Sequence, residues 1–298
     1  VSSLPPYLKK GDKIGIVAPA RKISFSEIEY AIKLLEQWGL EVVLGKNIFN
    51  NCNQFSGTIK DRVDDFQEML NNVSIKAVIA ARGGYGTMQI IDHLDFSSFQ
   101  KNPKWIIGYS DVTVLHSHIH ANFNIATLHA TMPLNFSKNL EAAESLKLFL
   151  FGETLTYETP THLLNKNGKA KGVLVGGNLS LLYALNGSVS DINTEGKILF
   201  IEDLDEYLYH IDRMIMSMER SGKLKTLAGL IVGGMTDMKD NAIPFGKTAE
   251  EIIFEKIKNY NFPVCFNFPA GHTDKNLAIP FGKIVSLEVT NEKVTLLI

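Results

Sequence analysis

Cysteine is scarce: Cys52 and Cys265 are the only two in 298 residues. That excludes a disulfide framework and any cysteine-based zinc site, and it fits a reducing compartment, so the cytoplasm is the expected location. No apolar run approaches the ~18 residues of a membrane span. The opening VSSLPPYLKKGDKIGIVAPA also lacks the basic start and continuous apolar stretch of a signal peptide. The chain begins with Val rather than Met, which leaves a previously removed leader open. Charge of one sign is missing too: 30 basic against 32 acidic side chains give a net charge of −2. No global field is available to hold nucleic acid or an anionic membrane. Low-complexity tracts and fixed-period repeats are absent as well.

What remains is globular, with 45% hydrophobic and 21% charged residues. A length prior of about 150 residues per domain suggests two domains, with one large α/β unit as the alternative. KIGIVAPA (13–20) reads as a strand, and SFSEIEYAIKLLEQWG follows with Ile28, Ile32 and Leu35 at helical spacing and a stop at Gly39. The same alternation continues through EVVLG, TIKDRVDDFQEMLNN, KAVIAA, TMQIIDHL, KWIIGY and VTVLHSHIHANF. Repeated βα units imply a parallel sheet covered on both faces. Residues 152–171 are polar and Thr-rich and carry Pro160 and Gly168, so they read as a linker between a first domain, 1–151, and a second, 172–298. The second half alternates again and closes with KIVSLEVT and KVTLLI around Asn291-Glu292, an antiparallel hairpin.

In open α/β sheets reactive groups gather where strands end and helices begin. Four junctions carry such residues: RGGYG (82–86), GYSD (108–111), IED (201–203) and AGHT (270–273). Ser110 has a glycine two positions before it and a helix start just after, the setting of a nucleophile on a sharp turn. Val112 occupies the place of the second glycine of G-x-S-x-G, and the rival reading is that Ser110 or Asp111 caps the helix. A serine nucleophile needs a base and a group to orient that base. His272 and Glu202, each at a strand terminus, are the candidates; the competing roles are a turn histidine and a carboxylate favouring the next helix N-terminus.

The glycines of RGGYG allow close backbone approach, either to a phosphate or as an oxyanion donor beside Ser110. The spacing does not fit G-x-G-x-x-G, which disfavours nucleotide binding. His116, His118, His120 and His129 invite a metal reading. However, only His116 and His120 share a helix face, and the glutamate of H-E-x-x-H is missing, so neither metal nor cofactor is expected. Ile211, Met214, Ile215 and Met218 form a helical stripe suited to core or subunit contact.

Taken together, GDKIGIVAPA, ARGGYGTMQIIDHLDF, PKWIIGYSDVTVLH, LHATMP, GVLVGGNLSLL, ILFIEDLDEYLYHIDRMI and FPAGHTDKNLAIPFG resemble the LD-carboxypeptidase family of serine peptidases, the muramoyltetrapeptide carboxypeptidases. The resemblance spans nearly the whole chain, with the motifs in family order. It implies a flavodoxin-like or amidotransferase-like N-terminal parallel-sheet domain and a smaller, swivelling-type β/α C-terminal domain. It further implies a cofactor-free cytoplasmic hydrolase of peptidoglycan recycling, commonly a homodimer, that cuts the L,D-peptide bond to the terminal D-alanine of a murein tetrapeptide. By the same resemblance Ser110 is the nucleophile and Glu202 and His272 its partners. The backbone N–H groups of Asp111 and Gly84 form the oxyanion hole, with Gly83 the competing donor. Arg82 is the candidate for the substrate carboxylate, because a guanidinium matches a carboxylate in a bidentate way. Two alternatives stay open: the related microcin C immunity proteins, which act on peptidyl or aminoacyl adenylates, and a non-catalytic anion- or peptide-binding module.

Overall fold

The computed structural model describes residues 2–298. The first sheet contains β1 (Lys13–Val17), β2 (Glu41–Leu44), β3 (Ile75–Ala80), β4 (Trp105–Gly108) and β5 (Thr127–His129), all parallel, and a late strand, β11 (Ile279–Phe281), antiparallel to β5. Its order is β11-β5-β4-β3-β1-β2. The second sheet contains β6 (Thr156–Pro160), β7 (Gly168–Asn178), β8 (Ile198–Leu204), β9 (Gly229–Thr236), β10 (Val264–Cys265), β12 (Ile284–Val289) and β13 (Lys293–Leu297), in the order β10-β9-β8-β7-β12-β13-β6. Strands β7 to β10 are parallel, whereas β12, β13 and β6 are antiparallel. The fold is thus α/β with two sheets, as expected.

Three segments depart from the sequence reading. The 152–171 stretch is no plain linker: it holds β6, paired with β13 through Tyr157 and Leu296, and the start of β7. Its polar character suits an edge strand whose outer residues face water. TMQIIDHL forms two short 3-10 turns, Thr87–Gln89 and Ile91–His93, rather than one helix. The chain also returns from the second half to the first sheet as β11, which ties the two domains together.

The cores merge accordingly. Ile107, Leu128 and Phe281 of the first sheet share a continuous apolar cluster with Phe200 and Ile231 of the second. Helix α1 (Thr113–Phe123) is buried along Thr113–His120 because it lies between the first sheet and β7, so its histidines face protein rather than solvent. Ile211, Met214, Ile215 and Met218, on the helix Leu208–Arg220, fill the core of the second domain.

Candidate active site

The chain leaves β4 at Gly108, where a Cβ would lie 2.8 Å from Val112 Cγ2, so only glycine lets the turn close this tightly. Ser110 follows with φ +62, in the left-handed region that costs a non-glycine residue about 1–2 kcal/mol. The capping alternative fails here. The N-cap of α1 is Val112, without a side-chain capping bond, and Asp111 Oδ2 instead accepts the N–H of Thr87 across the corner at 2.8 Å. Burial, outweighing the bonds from Thr87, pushes the Asp111 carboxyl above its usual range. His116 Nε2 donates to the Gly108 carbonyl at 2.8 Å and braces the same corner.

The RGGYG loop leaves β3 beside this corner. A Cβ on Gly83 would come 3.0 Å from Ser110 Cβ and 3.2 Å from Oγ, so the loop backbone rests directly on the serine. Arg62, buried, holds the far end of the loop: Nη1 donates to Gly86 O and to Pro19 O, both at 3.0 Å, and Nη2 to Gln89 Oε1 at 2.8 Å.

In the second domain Glu202, fully buried near the end of β8, meets His272 at close range. Its Oε2 accepts the His272 backbone N–H at 3.0 Å and lies 2.6 Å from Nδ1. That approach needs Gly271, whose φ is +92 and whose Cβ would sit 2.6 Å from Glu202 Oε2. Burial pulls the His272 pKa down, but the Glu202 charge, its hydrogen bond and the Asp203 charge together raise it above the ordinary 6.5. With Nδ1 committed to the carboxylate, Nε2 is the nitrogen left for proton transfer. The Tyr109 ring packs against the imidazole at a tilt of 59°, with centroids 4.9 Å apart, its hydroxyl held by Asn135 Nδ2 at 2.9 Å.

Ser110 and His272 line one cleft of about 430 Å³ between the domains, together with Gly83, Gly84 and Arg82. Among the described residues Ser110 Oγ has no hydrogen bond to the imidazole. Arg82 reaches the cleft wall but is engaged: Nη1 donates to Lys22 O at 3.1 Å and stands 3.8 Å from Glu27 Oε1. Sequence reasoning placed Asp203 in the IED junction without giving it a role; it lines the cleft and accepts from Asn178 Nδ2 at 2.8 Å and from the Ser180 N–H at 2.9 Å. Burial, and then the neighbouring Glu202, push it up to about 7. Its place directly after Glu202 was the available signal.

The other histidines of the metal reading are structural. His118 Nδ1 is 2.8 Å from Ser190 Oγ, and His120 Nε2 is 3.0 Å from Lys197 Nζ. Fully buried His129 packs on the Tyr109 and Phe200 rings. Among the described residues no three His, Cys, Asp or Glu side chains are arranged to hold a metal ion.

These features define a two-domain α/β protein whose interdomain cleft presents a hydroxyl on a strained corner and a carboxylate-bound imidazole, the functional groups of serine hydrolases. The chain belongs to the LD-carboxypeptidase family: residues 14–130 match its N-terminal domain and residues 171–287 its C-terminal domain. It is 38% identical over 289 residues to a probable murein peptide carboxypeptidase of Bacillus subtilis, covering 93% of this chain and 89% of that one. Identity to the microcin C7 self-immunity protein of Escherichia coli is 27%, over 97% of this chain and 94% of the other. The crystal structure of muramoyltetrapeptide carboxypeptidase from Oxalobacter formigenes superposes with a TM-score of 0.86 at 25% identity, over 96% of this chain and 98% of that one. No helix among the described residues is long and apolar enough to cross a membrane.

Proposed function

We propose that this protein is a serine carboxypeptidase that hydrolyses the L,D-peptide bond to the terminal D-alanine of murein tetrapeptides. The observation that carries this reading is the Glu202–His272 pair, joined at 2.6 Å and opening on the cleft that Ser110 also lines. The names borne by the Bacillus and Oxalobacter relatives supply the substrate class.

In this mechanism His272 Nε2 takes the Ser110 proton as Oγ attacks the scissile carbonyl. The Asp111 N–H and the Gly84 N–H, with Gly83 as the competing donor, receive the oxyanion. His272 then returns the proton to the amine of the departing D-alanine, an acyl-enzyme remains on Ser110, and water reverses the sequence. Glu202 keeps Nδ1 protonated and stabilises the imidazolium that forms. The serine and imidazole close to hydrogen-bond distance in the substrate complex, since such contacts are commonly long in unliganded sites. Arg82, the cation the sequence offered for the substrate carboxylate, is engaged by Lys22 O and Glu27 on the cleft wall, which leaves the carboxylate role to another group. The free thiols of Cys52 and Cys265 support a cytoplasmic setting, and the family resemblance supports a homodimer, which sedimentation would check.

The test is incubation with a murein tetrapeptide and mass spectrometry for loss of one alanine, which Ser110→Ala abolishes. The second reading, hydrolysis of peptidyl or aminoacyl adenylates, is favoured by the similarity to the self-immunity protein. An intact tetrapeptide beside a hydrolysed adenylate would establish it instead.

A further inference from the structure

The cleft is divided by charge. Arg21 and Arg82 flank the glycine loop on the first-domain wall, and Asp203, Asp205 and Glu206 occupy the opposite wall. Most of these ions already have partners. Asp205 pairs with Lys239 at 2.7 Å, Glu206 with His210 at 2.6 Å, and Arg82 with Lys22 O and Glu27. Arg21 differs: its exposed guanidinium has neither a hydrogen bond nor an ion pair among the described residues.

The backbone sets where that free cation stands. A Cβ on Gly84 would fall 2.6 Å from Arg21 Cγ and Cδ, while one on Gly83 would fall 3.0 Å from Ser110 Cβ. The arginine stem and the serine therefore lie on consecutive glycines, whose Cα atoms are about 3.8 Å apart. A substrate likewise holds its free carboxylate close to the carbonyl that the serine attacks. In a peptide losing its last residue, one residue separates the scissile carbonyl from the free α-carboxylate. Arg21 also follows β1 at the C-terminal end of the parallel strands, where ligand-binding groups of such sheets collect.

We propose that Arg21 is the anchor for the free α-carboxylate of the departing residue and confines the cleft to chain ends. This rests on the carboxypeptidase reading above. A guanidinium meets a carboxylate with two parallel N–H donors, a geometry that an amide or ester terminus cannot match. Asp205 and Glu206 on the opposite wall are held by Lys239 and His210, so among the described residues Arg21 is the unpaired guanidinium of the cleft and gives the peptide one polarity of binding.

The experiment compares a murein tetrapeptide with its C-terminal amide as substrates of the wild type, Arg21→Gln, Arg21→Lys and Arg82→Gln, with melting temperatures as the folding control. The wild type should prefer the free acid by about 10- to 100-fold in kcat/KM. Arg21→Gln should lower the free acid to the level of the amide through KM and leave the amide rate unchanged. Arg21→Lys should restore part of the preference, and Arg82→Gln should retain most of it. A folded Arg21→Gln enzyme that keeps the wild-type preference, or that loses both substrates equally, overturns the assignment. A wild type that leaves the tetrapeptide uncut overturns the carboxypeptidase reading itself, which is a separate result.

Discussion

One oxygen of Glu202 holds His272 twice, by the backbone N–H at 3.0 Å and by Nδ1 at 2.6 Å. The backbone bond fixes where the residue sits and the ring bond fixes which way the imidazole faces. Both come from a carboxylate with no exposed surface, so its charge is little screened by water.

The pH profile follows from that pair. Burial lowers the His272 pKa, but Glu202 and then Asp203 together raise it above 6.5, so the neutral base forms at higher pH than in a free histidine. The acid limb of kcat/KM should have its midpoint above 6.5. Asp203→Asn should move it down, and Glu202→Gln should move it further while lowering kcat by about 10⁴-fold, as loss of the orienting carboxylate does in such triads. An unmoved midpoint in both variants would dismiss His272 as the titrating base. The sign for stability is opposite. A raised folded-state pKa stabilises the fold below the unfolded value of 6.5, and that contribution is lost as pH rises through the raised value. The melting temperature of wild type relative to His272→Gln, followed with pH, reads this.

Ser110→Gly should separate activity from stability. Releasing the left-handed strain returns about 1–2 kcal/mol, and the added chain entropy of glycine costs about 0.5–1 kcal/mol. The variant should therefore be inactive yet as stable as the parent, or more stable by up to about 1.5 kcal/mol, in urea melts. A clear loss of stability would mean that the Ser110 side chain supports the fold.

Gly271→Ala should cost both. The new Cβ would lie 2.6 Å from Glu202 Oε2 at a φ of +92, so either the loop or the carboxylate must move. We expect a loss of about 2 kcal/mol or more and a fall in kcat of at least about 100-fold. Near-normal kinetics would show that the site does not depend on this close approach.

Arg62→Met should act on the loop from behind. It leaves the carbonyls of Pro19 and Gly86 without their donor, at about 1–3 kcal/mol for each buried acceptor left unpaired. Loosening RGGYG beside Ser110 should lower kcat more than it raises KM, which steady-state kinetics with denaturation curves would resolve.

Chelators should leave the rate unchanged. His116 is spent on the Gly108 carbonyl, and burial pulls its pKa down to about 4, so it serves the corner as a neutral donor. His116→Leu should slow the enzyme by distorting that corner. Added zinc should not restore it, and restoration by zinc would revive the metal reading.

The sequence by itself determined the alternation of strands and helices, the turn that carries Ser110, and the core stripe around Met214. These depend on local periodicity and on glycines whose effect lies within a few residues. Glu202, expected at a strand terminus, lies within β8, and His272, expected likewise, sits in the loop between β10 and β11. Tertiary structure alone decided that polar 156–160 is an edge strand, that β11 crosses back to the first sheet, and that a histidine-rich helix is buried between two domains. It also decided that Gly83 and Gly84 stand under Ser110 and Arg21, residues far from them in the chain. Strand pairing and close backbone approach depend on partners tens to hundreds of residues away, and a local pattern carries no record of which partner arrives.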